Sequence, residues 1–348
     1  MRPGAAQPRA LVEDLGRALR FDAPVNGCAF VAGEPLFALG DGMVARSDAS
    51  AFRAHDGAIL CAAASPDGQT LLTGGDDGRL MACAPAGAAQ LRHEARGKWI
   101  ETVAAAPRSG AIAIALGREV RVLPAKGEAH VFTPGRAANA LAFDGKGRRL
   151  AIAHADAVTL VWALGPGLPQ ERLEWAGAHL SIAIRPQGDF LVTGMAEGAL
   201  HGWRLADTAH FRMAGYPFKP RSLSFGLKGR VLATSGAGVA LVWPFEGKDG
   251  PMGQAALQLP ARPGLVTAVA CHPFDALLAA GYADGGVHLI RFEDGADIHL
   301  AGPPPPEEAA PDPLQPATAI EHLAWSPDGR GLAWGGQDGA AGAVRLPG

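Results

Sequence analysis

A tandem repeat constrains this chain more than any other feature. Ser65-Pro66-Asp67-Gly68 returns as Ser326-Pro327-Asp328-Gly329. Weaker copies fill the interval: Pro107-Arg108-Ser109-Gly110, Asp144-Gly145-Lys146-Gly147, Arg185-Pro186-Gln187-Gly188, Gly226-Leu227-Lys228-Gly229 and His272-Pro273-Phe274-Asp275. Their last residues are spaced by 42, 37, 41, 41, 46 and 54 positions. An eighth, degenerate copy stands at the front as Val31-Ala32-Gly33-Glu34. A period of about 40 residues marks a chain of small units stacked to share one core.

Each unit has the same internal grammar. A strand-like run such as Ala140-Leu141-Ala142-Phe143 precedes the turn, and a second run such as Asp189-Phe190-Leu191-Val192-Thr193 follows it. A tight acidic-Gly turn comes next, as at Asp41-Gly42, Asp77-Gly78, Glu197-Gly198, Asp284-Gly285 and Asp338-Gly339, where positive φ is tolerated. A third run then closes the unit, and Trp162, Trp203 and Trp243 end three of these runs 41 and 40 residues apart. The penultimate position of the first run reads Ala29, Ala63, Ala105, Ala142, Ala183, Ser224, Ala270 and Ala324. Small residues there imply first strands crowded around a central axis, which is the geometry of a β-propeller.

The expectation is therefore an all-β chain forming a single closed β-propeller of eight four-stranded blades, with seven the alternative. The last unit ends at Ala343-Val344-Arg345-Leu346 and has no chain left for a fourth strand. Arg17-Ala18-Leu19-Arg20-Phe21 is expected to supply it, hiding an edge that would otherwise pair with other chains. Residues 1–14 are expected to be a flexible segment and 15–348 the propeller. A Pro-rich insertion over 303–316, containing Pro303-Pro304-Pro305-Pro306-Glu307-Glu308, reads as a solvated connector.

These residues resemble the WD40-repeat β-propellers. The resemblance rests on S-P-D-G after the first strand, the glycine-rich run after the second and tryptophan ending the third, over residues 24–347. It is degenerate: Ala163, Arg204 and Pro244 follow the three tryptophans in place of aspartate, and the family's Gly-His signal survives only at His55 and His179. The resemblance implies a scaffold whose loops leading into each first strand, and between second and third strands, share one recognition face.

Composition narrows the function classes. The 348 residues carry a net charge of −3, are 6% aromatic and hold 47 glycines and 28 prolines. Such weak charge argues against a nucleic-acid partner, although Lys146, Arg148, Arg149, Lys228 and Arg230 cluster in first-to-second turns. No apolar run is long enough to cross a membrane as a helix. Cys28, Cys61, Cys83 and Cys271 have no metal-ligand spacing and read as free buried thiols, consistent with a cytoplasmic protein. Phosphate loops, zinc motifs and nucleophile elbows are absent, so no catalytic residue, cofactor or metal is expected. Asp76-Asp77 reads as a turn, and the eleven histidines are dispersed.

The leading reading is a non-catalytic scaffold that binds a protein or peptide. Trp99, Arg136, His154, His179, Met195, Lys219, Arg221, Tyr282 and Glu321 are the candidate partner-binding residues, being large or charged groups at loop positions of one face. The alternative is an enzyme or a metal- or small-molecule-binding propeller using histidines and carboxylates at the channel mouth.

Overall fold

Short apolar runs broken by turn residues every few positions fold as hairpins. In the computed structural model, which describes residues 11–259, 262–303 and 318–347, each hairpin pair forms an antiparallel sheet. The first unit pairs Val25–Val31, Glu34–Leu39, Met43–Arg46 and Ala51–Arg53 in sequence order. The other units repeat that order, and each first strand touches the first strands of the units before and after it. Val25–Val31 also touches Ile320–Trp325 of the last unit, which closes the ring.

The described residues form seven hydrogen-bonded sheets, six of four strands and one of six. The six-stranded sheet contains two long strands, Arg149–Trp162 and Gln170–Ile184. Neither runs straight. Ala163 N donates to Arg148 O at 2.9 Å, so the two ends of the first lie side by side. Its fold-back is at Ala155-Asp156, where Asp156 takes φ 67°. The same bond closes the hairpin in later units, with Leu205 N on Asp189 O and Phe245 N on Arg230 O. The second long strand turns at Gly177, φ 116°; before it the chain pairs with unit four, and from His179 onward with Phe190–Met195 of unit five. Counted as continuous sheets, the ring has seven blades, the lower of the two expected numbers. All eight repeat units are nevertheless traceable, because units four and five share one sheet with no coil between them.

The core lies between neighbouring sheets. Phe37, Leu39 and Val25 of unit one pack with Ala333 and Ala341 of unit eight, and Leu36, Val44 and Ile59 fill the opposite side of unit one. Near the axis the space is tight, as the small first-strand residues implied. A Cβ on Gly27 would stand 2.7 Å from the Ala62 Cβ. Ser224 Oγ accepts the Cys271 backbone N–H at 2.9 Å, directly linking two first strands.

Closure follows the expectation. Gly16–Arg20 pairs antiparallel with Ala340–Arg345, from Gly16 opposite Val344 to Arg20 opposite Ala340. The flexible segment expected over 1–14 is corrected in part. Val12–Leu15 forms a helical turn, and Val12 is buried with Leu289, Leu300 and Val344. Apolar Leu11, Val12 and Leu15 cover the seam between the last two units, and that burial orders them. Residues 1–10 lie outside the described residues, as do 304–316 of the insertion. No described helix is long and apolar enough to cross a membrane.

The acidic turns have more than a turning role. Asp77 Oδ1 lies 3.0 Å from His55 Nδ1, and His55 Nε2 lies 2.8 Å from Thr73 Oγ1. Asp77 also accepts the backbone N–H groups of Asp56 and Arg79. Burial pushes its carboxyl up, but these hydrogen bonds outweigh burial and hold it below the ordinary carboxylate range. His55→Ala strips partners from two buried or half-buried groups, and is expected to cost about 2–4 kcal/mol in urea unfolding. A change below about 0.5 kcal/mol would show the network to be incidental.

Candidate functional site

The ends of the first strands build the mouth of the axial channel. In six units the pairing of first and second strands slips by one residue, skipping Asn26, Leu60, Asn139, Leu180, Thr267 and Glu321. Glu101 and Arg221 hold the equivalent sequence positions in units three and six. A bulge re-aims a side chain and ends the regular ladder, so this ring is freed from hairpin pairing. Several of its members instead bond the next unit. Asn26 Nδ2 donates to Ile59 O at 2.7 Å, Asn139 Nδ2 to His179 O at 2.9 Å, and Thr267 Oγ1 to Ile320 O at 2.6 Å. Ser181 Oγ, one residue past its bulge, donates to Pro220 O at 2.8 Å. The rim is cross-linked from unit to unit.

Within it lies a cavity of about 650 Å³ lined by residues of units five to eight, among them Glu197, Phe218, Lys219, Arg221, Glu321 and His322. That volume suits a small ligand or a few residues of a peptide. Glu321 accepts from Gln337 Nε2 at 2.6 Å, and partial desolvation by the cavity walls raises its carboxyl above the ordinary range. His322 is pushed down to about 4 by burial and is neutral at pH 7.

All nine candidate residues stand at strand ends or in the loops leading into first strands on this face, but only five are accessible. Trp99 is 60% exposed, and Arg136, Lys219, Arg221 and Glu321 are also exposed. The other four are corrected: His154, His179, Met195 and Tyr282 are buried. Each ends or begins a strand facing the neighbouring sheet, so its bulk fills an inter-sheet gap. His154 Nε2 lies 2.9 Å from Thr159 Oγ1, and His179 Nδ1 lies 2.8 Å from Thr193 Oγ1. Tyr282 packs under the Arg262 guanidinium, whose carbon is 4.7 Å from the ring centroid. Phe218, His322 and Ser222 were missed by the sequence reading. The readable signal for the first was Pro217-Phe218-Lys219-Pro220, a proline-bracketed pair ahead of a first strand.

His201 and His288 are buried between sheets. Burial, aided by His210, His179 and Arg212, pushes His201 down to about 3, and burial pushes His288 to about 4. Among the described residues no group of three or more His, Cys, Asp or Glu is arranged to hold a metal ion. The four cysteines form no disulfide; Cys83 and Cys271 are buried, while Cys28 and Cys61 are half-buried rather than fully enclosed. On the opposite face the basic turns are partly neutralised: Arg149 Nε lies 3.2 Å from Asp144 Oδ2, and Arg230 lies 3.7 Å from Glu246.

Comparison with known proteins agrees with the geometry. Residues 47–81 match the WD40 family model, described as WD domain, G-beta repeat. That stretch contains His55, Thr73 and Asp77. A computationally designed protein, Ika8, superposes with a TM-score of 0.71 at 15% identity, covering 94% of this chain and 98% of that one. A chain from the mitotic checkpoint complex superposes with a TM-score of 0.65 at 13% identity, covering 100% of this chain and 98% of that one. No curated protein matches the chain.

Proposed function

We propose that this chain, a WD40-repeat β-propeller with degenerate repeats, acts as a non-catalytic scaffold that holds a protein or peptide partner on its axial loop face. One observation carries the reading. Lys219, Arg221 and Glu321 line a cavity on a rim cross-linked between units, and Trp99 and Arg136 are exposed on the loops leading into the first strands of units three and four, so large and charged side chains are displayed on a rigid base. Tryptophan and arginine on a preorganised surface are the residue types that dominate binding energy. Four cysteines free of disulfides support a reducing compartment such as the cytoplasm for the scaffold.

Affinity purification from native cells is expected to recover a stoichiometric protein partner. Combined Trp99→Ala and Arg136→Ala substitution should weaken that partner by about tenfold or more, with the thermal melt unchanged because both side chains are exposed. Recovery of no partner, or equal binding by the double variant, would remove this reading.

A further inference from the structure

Resting on the scaffold reading, we infer that the loop Pro217–Arg221 recognises an extended acidic peptide segment of a protein partner, its carboxylates held by Lys219 and Arg221 and an adjoining apolar side chain by Phe218.

The loop is anchored from beneath at both ends. Tyr216 is buried, its hydroxyl lies 2.8 Å from Thr234 Oγ1, and it accepts from Trp243 Nε1 at 2.7 Å. Phe218 N donates to Gly236 O at 3.1 Å. Beyond the loop, Ser222 N donates to Ser235 Oγ at 3.0 Å, and Ser222 Oγ accepts from Val269 N at 3.0 Å. Pro220 O accepts from Ser181 and sits so close over Gly194 that any Cβ there would collide with it. Pro217 and Pro220 fix their own φ angles, which lowers the entropy that binding must overcome.

The side chains on this fixed backbone are uncommitted. Neither Lys219 nor Arg221 makes a hydrogen bond or ion pair with any described residue, whereas cations in units two and three do. Lys98 pairs with Glu119 at 2.7 Å, and Arg79 with Asp56 at 2.6 Å. Neither carboxylate of the cavity forms a direct ion pair with the two cations: Glu321 accepts from Gln337 and interacts with the Arg221 charge only through space, and the Glu197 carboxylate packs over Gly177. Phe218 is 38% exposed beside them. Two free cations and an aromatic ring on one rigid loop suit a carboxylate-bearing, partly apolar strand of chain.

The probe is a random twelve-residue peptide library displayed on phage and panned on the intact protein. Wild type is expected to enrich sequences with two or more Asp or Glu beside an aliphatic or aromatic residue. A synthetic peptide of the enriched sequence should lose about tenfold or more in affinity for a Lys219→Gln/Arg221→Gln variant, several-fold for Phe218→Ala, and further affinity between about 50 mM and about 500 mM salt. Thermal melts matching wild type show that the variants fold. The proposal is overturned by enrichment of basic or uncharged sequences, by no enrichment, by equal binding to the double variant, or by preference for a single-stranded RNA through the same two residues. A native partner unaffected by these substitutions would sink this inference and leave the scaffold intact. Acidic peptide binding without any native partner would do the reverse.

Discussion

A chain that begins at Phe21 is expected to melt well below the full-length protein and to self-associate. Among the described residues the strand Gly16–Arg20 is the only partner of Ala340–Arg345 on its outer side, so its removal bares a run of unpaired backbone groups. It also takes away Leu19 and Val12, both buried, at about 2 kcal/mol each. The ion pair of Arg20 with Asp338 at 2.7 Å goes too, but Arg20 is well exposed and adds little. A loss of at least about 4 kcal/mol is expected in urea unfolding. Size-exclusion chromatography with light scattering should show concentration-dependent oligomers. Adding a peptide of residues 11–21 should restore both the monomer and the melt. A monomeric truncation with an unshifted melt would show that the ring does not depend on this closure.

The second large effect is acid lability. His201 is fully buried, stacked on Trp175 with ring centroids 3.9 Å apart, and neither of its ring nitrogens has a hydrogen-bond partner. Burial first, then the neighbouring His210, His179 and Arg212, lowers it to about 3 from an ordinary value near 6.5. Between those values the unfolded chain binds the proton and the folded one does not. This stability is present in full above about pH 6.5 and is lost as pH falls toward 3, about 2 kcal/mol by pH 5. His322 and His288, both near 4, act in the same direction. His201→Phe keeps the stack and removes two unbonded polar atoms. It is expected to hold or raise stability at pH 7 and to lose about 2 kcal/mol less on going to pH 5. The check is the urea midpoint at both pH values, and an unchanged difference between them would refute the assignment of His201.

Much of the architecture was readable because propeller units are local. Ser65-Pro66-Asp67-Gly68 folds as a turn in which Ser65 Oγ donates to Asp67 Oδ1 at 2.5 Å, a contact between residues two apart. The last unit repeats it with Ser326 and Asp328. The alanines of the first strands, the acidic-Gly turns and the missing outer strand of the last unit are equally local signals. The blade count was less secure. Whether units four and five form two sheets or one depends on how the chain turns at Gly177, and no composition rule fixes that.

The candidate face was half legible. Turn grammar placed all nine residues at one end of the ring, yet it could not separate Lys219 from Tyr282. Exposure there depends on what the adjacent sheet presents. Arg262, distant in the turn grammar, covers the Tyr282 ring, whereas nothing described bonds Lys219 or Arg221. His179 looked like a loop residue and is instead held by Thr193 and the Trp175 carbonyl.

Sequence by itself determined that this chain repeats and turns, because those properties reside in contacts a few residues long and in a period of about 40, and the outer strand missing from the last unit pointed to closure by the front of the chain. Tertiary structure decided which side chains remain available for a partner. Availability is a property of packing between units, and it emerges only when residues some 40 positions apart are brought face to face.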